Sequence, residues 1–229
     1  MALYAIADLH LGNYVEKTMD IFGENWVDHD KKIKKNWLET VKEDDTVLIP
    51  GDISWAINMK EALSDLKWIE ELPGEKILLK GNHDYWWSSI SKLNSSFHRM
   101  KFLQNNYYTY GDYAICGTRG WITPNKNKFT LQDEKIYHRE VYRLNLSLEA
   151  ARRDGYTKII CILHYPPTNE LYEESLFTQT FKEYNVDIVV YGHLHGEDYF
   201  NYSLQGEHDG INYYLVSCDY LDFKLHKIL

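Results

Sequence analysis

Asp, Asn and His residues recur at the ends of five short apolar runs in this chain. Asp8 and His10 follow Ala5-Ile6-Ala7, and Asp52 follows Leu48-Ile49-Pro50-Gly51. Asn82, His83 and Asp84 follow Leu78-Leu79-Lys80-Gly81, His164 follows Cys161-Ile162-Leu163, and His193 and His195 follow Val189-Val190-Tyr191-Gly192. The runs are rich in β-forming residues, which marks them as strands. In an open α/β sheet the carboxyl ends of the strands face one crevice, so the five ends would pool their side chains there. A pooled set of carboxylate, amide and imidazole groups binds metal.

The spacing adds detail. Asp8 and His10 are two apart, which on an extended strand turns both side chains to one side, where they could share an ion. His193 and His195 repeat that spacing. Gly51, Gly81 and Gly192 each precede a candidate ligand, where the missing Cβ permits a sharp turn and a close backbone approach. His164 precedes Pro166-Pro167, whose fixed φ stiffens its loop.

The elements that must position these residues alternate between short β-rich runs and helical patterns, the sequence form of an α/β fold. Met59 to Leu72 carries Ala62, Leu63, Leu66 and Ile69 at helical spacing and ends at Pro73-Gly74. Tyr137, Val141, Leu144, Leu148 and Ala151 form a second apolar stripe, with Gly155 as its stop. Tyr107 to Tyr110 and Tyr113 to Cys116 flank Gly111-Asp112 and predict a hairpin. Ile211 to Ser217 and the run from Phe223 to Ile228 predict further strands, expected to be antiparallel. Residues 125–128 and 165–174 read as long polar loops. No internal repeat or linker divides the chain, so 229 residues are expected to form a single domain, 1–229.

The formal net charge of −9 disfavours bulk binding to nucleic acid or to anionic lipid, which rests on surplus Lys and Arg. Met1 to Ala7 is apolar but lacks a basic start and meets Asp8 before a signal core is complete, and no stretch is long enough to span a membrane. Cys116, Cys161 and Cys218 are odd in number, far apart and set in apolar surroundings. They read as reduced core thiols and a cytoplasmic location.

In order and spacing, D-x-H at Asp8 and His10, G-D at Asp52, G-N-H-D at Asn82 and His83, the lone His164 and G-H-x-H at His193 and His195 resemble the calcineurin-like metallophosphoesterases. The resemblance spans Asp8 to His195. It implies a four-layer α/β/β/α sandwich of two mixed β-sheets flanked by helices. It also implies two divalent ions, one held by Asp8, His10, Asp52 and His195, the other by Asn82, His164 and His193, with Asp52 bridging. A mixed oxygen and imidazole set suits Mn, Fe, Zn or Co. Two carboxylates against two divalent ions leave a charge of about +2, which attracts a phosphate despite the acidic chain. Such a centre generates a bridging hydroxide that attacks phosphorus in line. His83 is the implied general acid, a role that suits an imidazole of near-neutral pKa.

The chain departs from the family at one point. Many relatives, the protein Ser/Thr phosphatases especially, continue the second motif as G-D-x-x-D, and the later Asp orients the catalytic histidine. Here Trp55 takes that place, which argues against the protein-phosphatase subgroup and leaves the orientation of His83 open. Asp84 is expected to fix its loop by bonding backbone amides.

Around the rim, Trp86, with Tyr85 and Trp87, could stack on a substrate ring, packing being the plainer use of a large aromatic. Arg119 between two glycines could fork onto a phosphate or carboxylate, or form a surface ion pair. Phe22, Trp26 and His29 could form a lip or cover the core. The expected partner is a small phosphorylated substrate, with nucleotide-like esters among the options. A nuclease and a non-catalytic metal-binding scaffold of the same fold are the alternatives; the complete ligand set favours catalysis.

Overall fold

The computed structural model describes residues 1–13, 19–126 and 128–229. Strand β1 (Leu3–Ala5) leads through two 3-10 turns to helix α1 (His29–Thr40) and β2 (Thr46–Ile49); α2 (Met59–Glu70) leads to β3 (Glu75–Leu79), and α3 (Ile90–Ser96) to β4 (Met100–Leu103). The second half runs β5 (Tyr108–Tyr110), β6 (Tyr113–Thr118), α4 (Leu131–Arg153), β7 (Lys158–Leu163), α5 (Leu176–Glu183) and β8 (Ile188–Tyr191). It closes with α6 (Glu197–Phe200), β9 (Gly206–His208), β10 (Ile211–Leu215) and β11 (His226–Lys227).

The strands form two mixed sheets, ordered β11-β1-β2-β3-β4 and β5-β6-β7-β8-β10-β9. In the first, β1 to β4 are parallel and β11 is antiparallel to β1. In the second, β6, β7, β8 and β10 are parallel while β5 and β9 run antiparallel at the edges.

Side-chain alternation along each strand separates three cores. In β7, Ile159, Cys161 and Leu163 face the layer shared with Leu144, Leu148 and Phe177 of α4 and α5, while Ile160 and Ile162 face the other sheet. In β2, Val47 and Ile49 pack with Ile33, Trp37 and Leu66 under α1 and α2, while Leu48 joins Leu3, Ile77, Ile160 and Val190 between the sheets. Strands apolar on both faces must be covered on both faces. The fold is therefore helices, sheet, sheet, helices, as the family resemblance implied.

Helix α2 ends two residues earlier than its sequence pattern, and Asn58 caps it by accepting from the Lys60 and Glu61 amides. Helix α4 begins at a Thr130–Asp133 capping box. The hairpin turns at Gly111, φ 52°. The expectation of antiparallel carboxyl-terminal strands holds for β11, within the 223–228 run, and only in part for β10, which is antiparallel to the edge strand β9 but parallel to β8. Residues 192–210 are long enough for a crossover, which a parallel neighbour requires. Of the polar loop at 125–128, Asn127 lies outside the described residues.

The three cysteines are buried and free. Burial pushes the Cys116 thiol up to about 12, which keeps it an inert packing group. Among the described residues no helix is long and apolar enough to cross a membrane.

Candidate metal centre

Strands β1, β2 and β3 of one sheet and β7 and β8 of the other end at the same edge of the sandwich, so the crevice lies between two sheets rather than along one. Two ligand groups form there: Asp8, His10 and His195, and Asp52, His164 and His193, the ligand atoms within each group lying within 4.8 Å of one another. His10 Nε2 and His195 Nε2 are 3.2 Å apart, and His193 Nδ1 and His164 Nε2 likewise. Asn82 joins the second group, with Oδ1 2.6 Å from His164 Nε2. Asp52 Oδ2 lies 3.4 Å from His164 Nε2 and 3.9 Å from His10 Nε2, and so faces both groups.

Backbone geometry differs from the extended strand ends expected from the two-apart spacing. Asp8, His10, Asp52 and His193 have φ of 60°, 43°, 50° and 74°. Such left-handed conformations cost energy in non-glycine residues and persist where surrounding contacts hold them. Here the holding contacts are Asp8 N–H to Gly51 O at 3.0 Å and His10 N–H to Asp52 O at 2.9 Å. They curl Asp8 and His10 onto one group. At β8 the same kind of turn does the opposite, sending His193 to one group and His195 to the other.

Close packing of backbones requires two of the glycines. A Cβ on Gly51, φ 92°, would sit 2.7 Å from Gly81 Cα and 2.8 Å from His164 Nδ1; one on Gly192 would sit 2.6 Å from Ala7 Cβ and press on the Asp8 carboxylate.

Three hydrogen bonds orient the ligands. His164 Nδ1 donates to Pro50 O at 3.0 Å, since a carbonyl only accepts, and this leaves the neutral ring a lone pair at Nε2. That lone pair points at Asn82 Oδ1 and Asp52 Oδ2, which are also acceptors. His195 Nδ1 donates to Asp219 Oδ1 at 2.9 Å, which aims Nε2 inward. His193 N–H donates to Asp8 Oδ2 at 2.9 Å, and Asp8 Oδ1 is buried with no hydrogen-bond partner among the described residues.

In that neutral form acceptors converge with no donor between them, an arrangement that a cation, or a proton on His164, would relieve. The titration directions express the same need. Burial opposes charge on His164, but the Asp52 and Asp8 carboxylates outweigh it and push the ring up to about 9. Burial raises Asp8 to about 6 against the pull of His195 and His164. Burial likewise opposes charge on Asp52, yet His164 and His10 hold its carboxyl well below the usual range. The donor set, its orphaned carboxylate oxygen and the second nitrogens of His164 and His195, held by Pro50 O and Asp219, fit divalent cations bound by oxygen and imidazole.

His83 is at the rim. Its N–H donates to Asp52 Oδ1 at 2.8 Å, and its Nε2 is 4.0 Å from Asp52 Oδ2. Trp55 fills the position of the absent acid: its ring stacks on His10 at 4.8 Å and packs against His83 at 4.5 Å. His83 thus lies against an aromatic face at the position where the resemblance led one to look for a carboxylate. Asp84 is fully buried and accepts from the Ile53, Ser54 and Gly81 amides and from Trp86 Nε1. It ties the second motif to the third.

The aromatic candidates divide. Trp86 is 2% exposed, its indole bound to Asp84 and its ring in the α1–α3 core, so no face is open for a substrate ring. Tyr85 is 66% exposed. Trp26 and His29 are buried against His10, His195 and Phe223, while Phe22 is exposed. Arg119 is mostly buried, stacks on Trp121 at 4.7 Å and faces Glu140 at 3.7 Å. Asp219 escaped sequence reasoning. Its signal was of the kind used elsewhere, an apolar run, Tyr214-Leu215-Val216, at a strand end with a carboxylate three residues on.

Comparison with known proteins agrees with this geometry. The calcineurin-like phosphoesterase pattern matches residues 1–197. The Gene 66 protein of Mycobacterium phage L5 is 40% identical over 191 residues, covering 82% of this chain and 75% of the relative. That of phage D29 is 26% identical over 190 residues, covering 82% and 76%. The crystal structure of phosphopantetheinyl hydrolase (PptH) from Mycobacterium tuberculosis superposes with a TM-score of 0.60 at 14% identity, covering 100% of this chain and 95% of that one, which is a likeness of fold. With the ordered motifs joined at one edge of a two-sheet sandwich and the family pattern running through them, this chain belongs to the calcineurin-like phosphoesterases.

Proposed function

We propose that the protein is a metal-dependent phosphohydrolase that cleaves a small phosphomonoester or phosphodiester with His83 as general acid. The observation that carries this reading is Asp52 Oδ2 facing both ligand groups at once, 3.4 Å from His164 and 3.9 Å from His10. Asp8, His10, Asp52 and His195 would hold one divalent ion, and Asn82, His164, His193 and the shared Asp52 a second. Bound there, such ions clamp phosphoryl oxygens and lower the pKa of a water to make it the nucleophile. Mn, Fe, Zn and Co all suit the donor set.

The chain's own residues do the rest. Pro50 O and Asp219 fix the tautomers of His164 and His195. Asp84 locks the Gly51 and Gly81 turns together, so Asp52 and Asn82 keep their spacing. His83, partly exposed beside Asp52, would deliver a proton to the departing alkoxide. Three buried thiols fit a reducing, cytoplasmic setting.

The test is a panel of p-nitrophenyl phosphate, bis-p-nitrophenyl phosphate and cyclic nucleotides, each with Mn and with chelator. Turnover that needs the metal supports the reading. No metal-dependent turnover of any of them would transfer it to a non-catalytic scaffold.

A further inference from the structure

On the ligand-bearing edge of the sandwich a second cavity, of about 240 Å³, opens where β3, β4 and β6 end. Its walls carry Lys80, Arg119, Arg139 and Arg143 around a single carboxylate, Glu140, with Thr118 beside it. Four cations against one acid is a local excess of positive charge in a chain of net −9.

Glu140 is already engaged. It is fully buried, accepts from Thr118 Oγ1 at 2.7 Å, from Arg143 Nη1 at 2.9 Å and from both Nε and Nη2 of Arg139 at 3.3 Å, and lies 3.7 Å from Arg119 Nη2. A carboxylate has about four lone-pair sites, whereas each guanidinium has about five N–H donors, so most donors of the three arginines are left for another acceptor. Arg119 Nε is buried with no hydrogen-bond partner among the described residues. Like charges held this close repel one another, and an oxyanion between them relieves that cost.

The cavity adjoins the candidate metal centre along two walls. Lys80 is two residues from Asn82, a span of at most about 7 Å. The Arg119 carbonyl accepts from the His164 amide at 3.1 Å. A volume below the roughly 300–1,000 Å³ of a whole-ligand pocket suits one charged group.

We propose that this pocket takes a second oxyanion of the substrate, a phosphate or carboxylate carried by the same molecule whose phosphoester lies at the metal centre. The inference rests on the phosphohydrolase reading and narrows its substrate class to esters with two anionic groups.

The experiment compares alkyl phosphates of three to six carbons with the α,ω-bisphosphates of the same lengths, using the Mn-loaded enzyme. Some bisphosphate should be preferred by about tenfold or more in kcat/KM. The double variant Arg139→Gln, Arg143→Gln should bring that ratio near one, chiefly through KM, and Arg139→Lys, Arg143→Lys should restore part of it. Both arginines are partly exposed, so the variants should fold, and circular dichroism melts check this. A ratio near one in the unaltered enzyme, or one the Gln pair leaves unchanged, overturns the proposal while the phosphohydrolase stands. If no ester is turned over, the phosphohydrolase reading fails, and pyrophosphate titrated calorimetrically into metal-free protein judges the pocket alone. A loss of about tenfold in affinity in the Gln pair supports an anion pocket; equal affinity overturns it.

Discussion

His195 donates its Nδ1–H to Asp219 Oδ1 across 2.9 Å, and the other oxygen of Asp219 accepts from the Gly196 amide at 3.1 Å. One carboxylate thereby sets both the ring that faces Asp8 and the turn that carries it. Partners of this kind fix the tautomer of a ligating imidazole and raise its basicity, and their loss costs about 10–100-fold in metal affinity. Asp219→Ala should weaken one of two bound ions by that factor and spare the other, as read by chelator competition. Two unaltered affinities would remove Asp219 from the centre.

Trp55 packs on His83 at 4.5 Å and stacks on His10 at 4.8 Å. Trp55→Ala would leave both rings with rotational freedom. The expected outcome is a fall of about tenfold or more in kcat with KM changed little, because His83, the proposed general acid, loses its aim more than the substrate loses contacts. A change in KM alone would make Trp55 a substrate contact.

Removing His83, the proposed acid, should separate binding from turnover. His83→Ala should keep its metal, because His83 belongs to neither ligand group. It should lose roughly 10²–10⁴ of its rate on alkyl esters and much less on p-nitrophenyl phosphate, whose leaving group needs little protonation. Equal activity on both would end its assignment.

Metal removal should also destabilise the fold. When no cation lies between them, the orphaned Asp8 Oδ1 stays without a hydrogen-bond partner and the acceptors facing His164 Nε2 are met only by a proton on that ring. Adding Mn at 100 times its Kd should raise stability by about 2.7 kcal/mol, seen as a higher melting temperature that chelator reverses. A melting temperature indifferent to both would argue against a preformed centre.

Lys76 offers a pH test remote from the centre. Its side chain is buried and its ammonium donates to the carbonyls of Glu70 and Leu72. Burial, aided by Arg99, lowers its pKa from 10.5 to about 8. The unfolded chain therefore binds the extra proton between pH 8 and 10.5, and stability from this group rises with pH across that window and is lost as pH falls through 8. Urea unfolding should show that rise, of order 1–3 kcal/mol, in the native protein relative to Lys76→Met. Parallel curves would contradict it.

Read from the amino-acid order alone, the candidate site was legible because its residues are local events: each follows a short apolar run, and glycines mark three of the turns. Helix α2, helix α4 and the Gly111 hairpin were legible for the same reason, since spacing and turn residues act over a few positions. Other facts depend on distant partners. Strand β10 runs parallel to β8 because of where residues 192–210 cross over, not because of its own sequence. Asp8 and His10 converge through left-handed turns held by Gly51 and Asp52, some 40 residues away. Trp86, a fair stacking platform by type, is closed by Asp84 and the helix layer. Asp219 meets His195 across 24 residues of chain, and Thr118 meets Glu140 across 22. Residue types set which bonds can form; the packing of two sheets decides which atoms come close enough to form them.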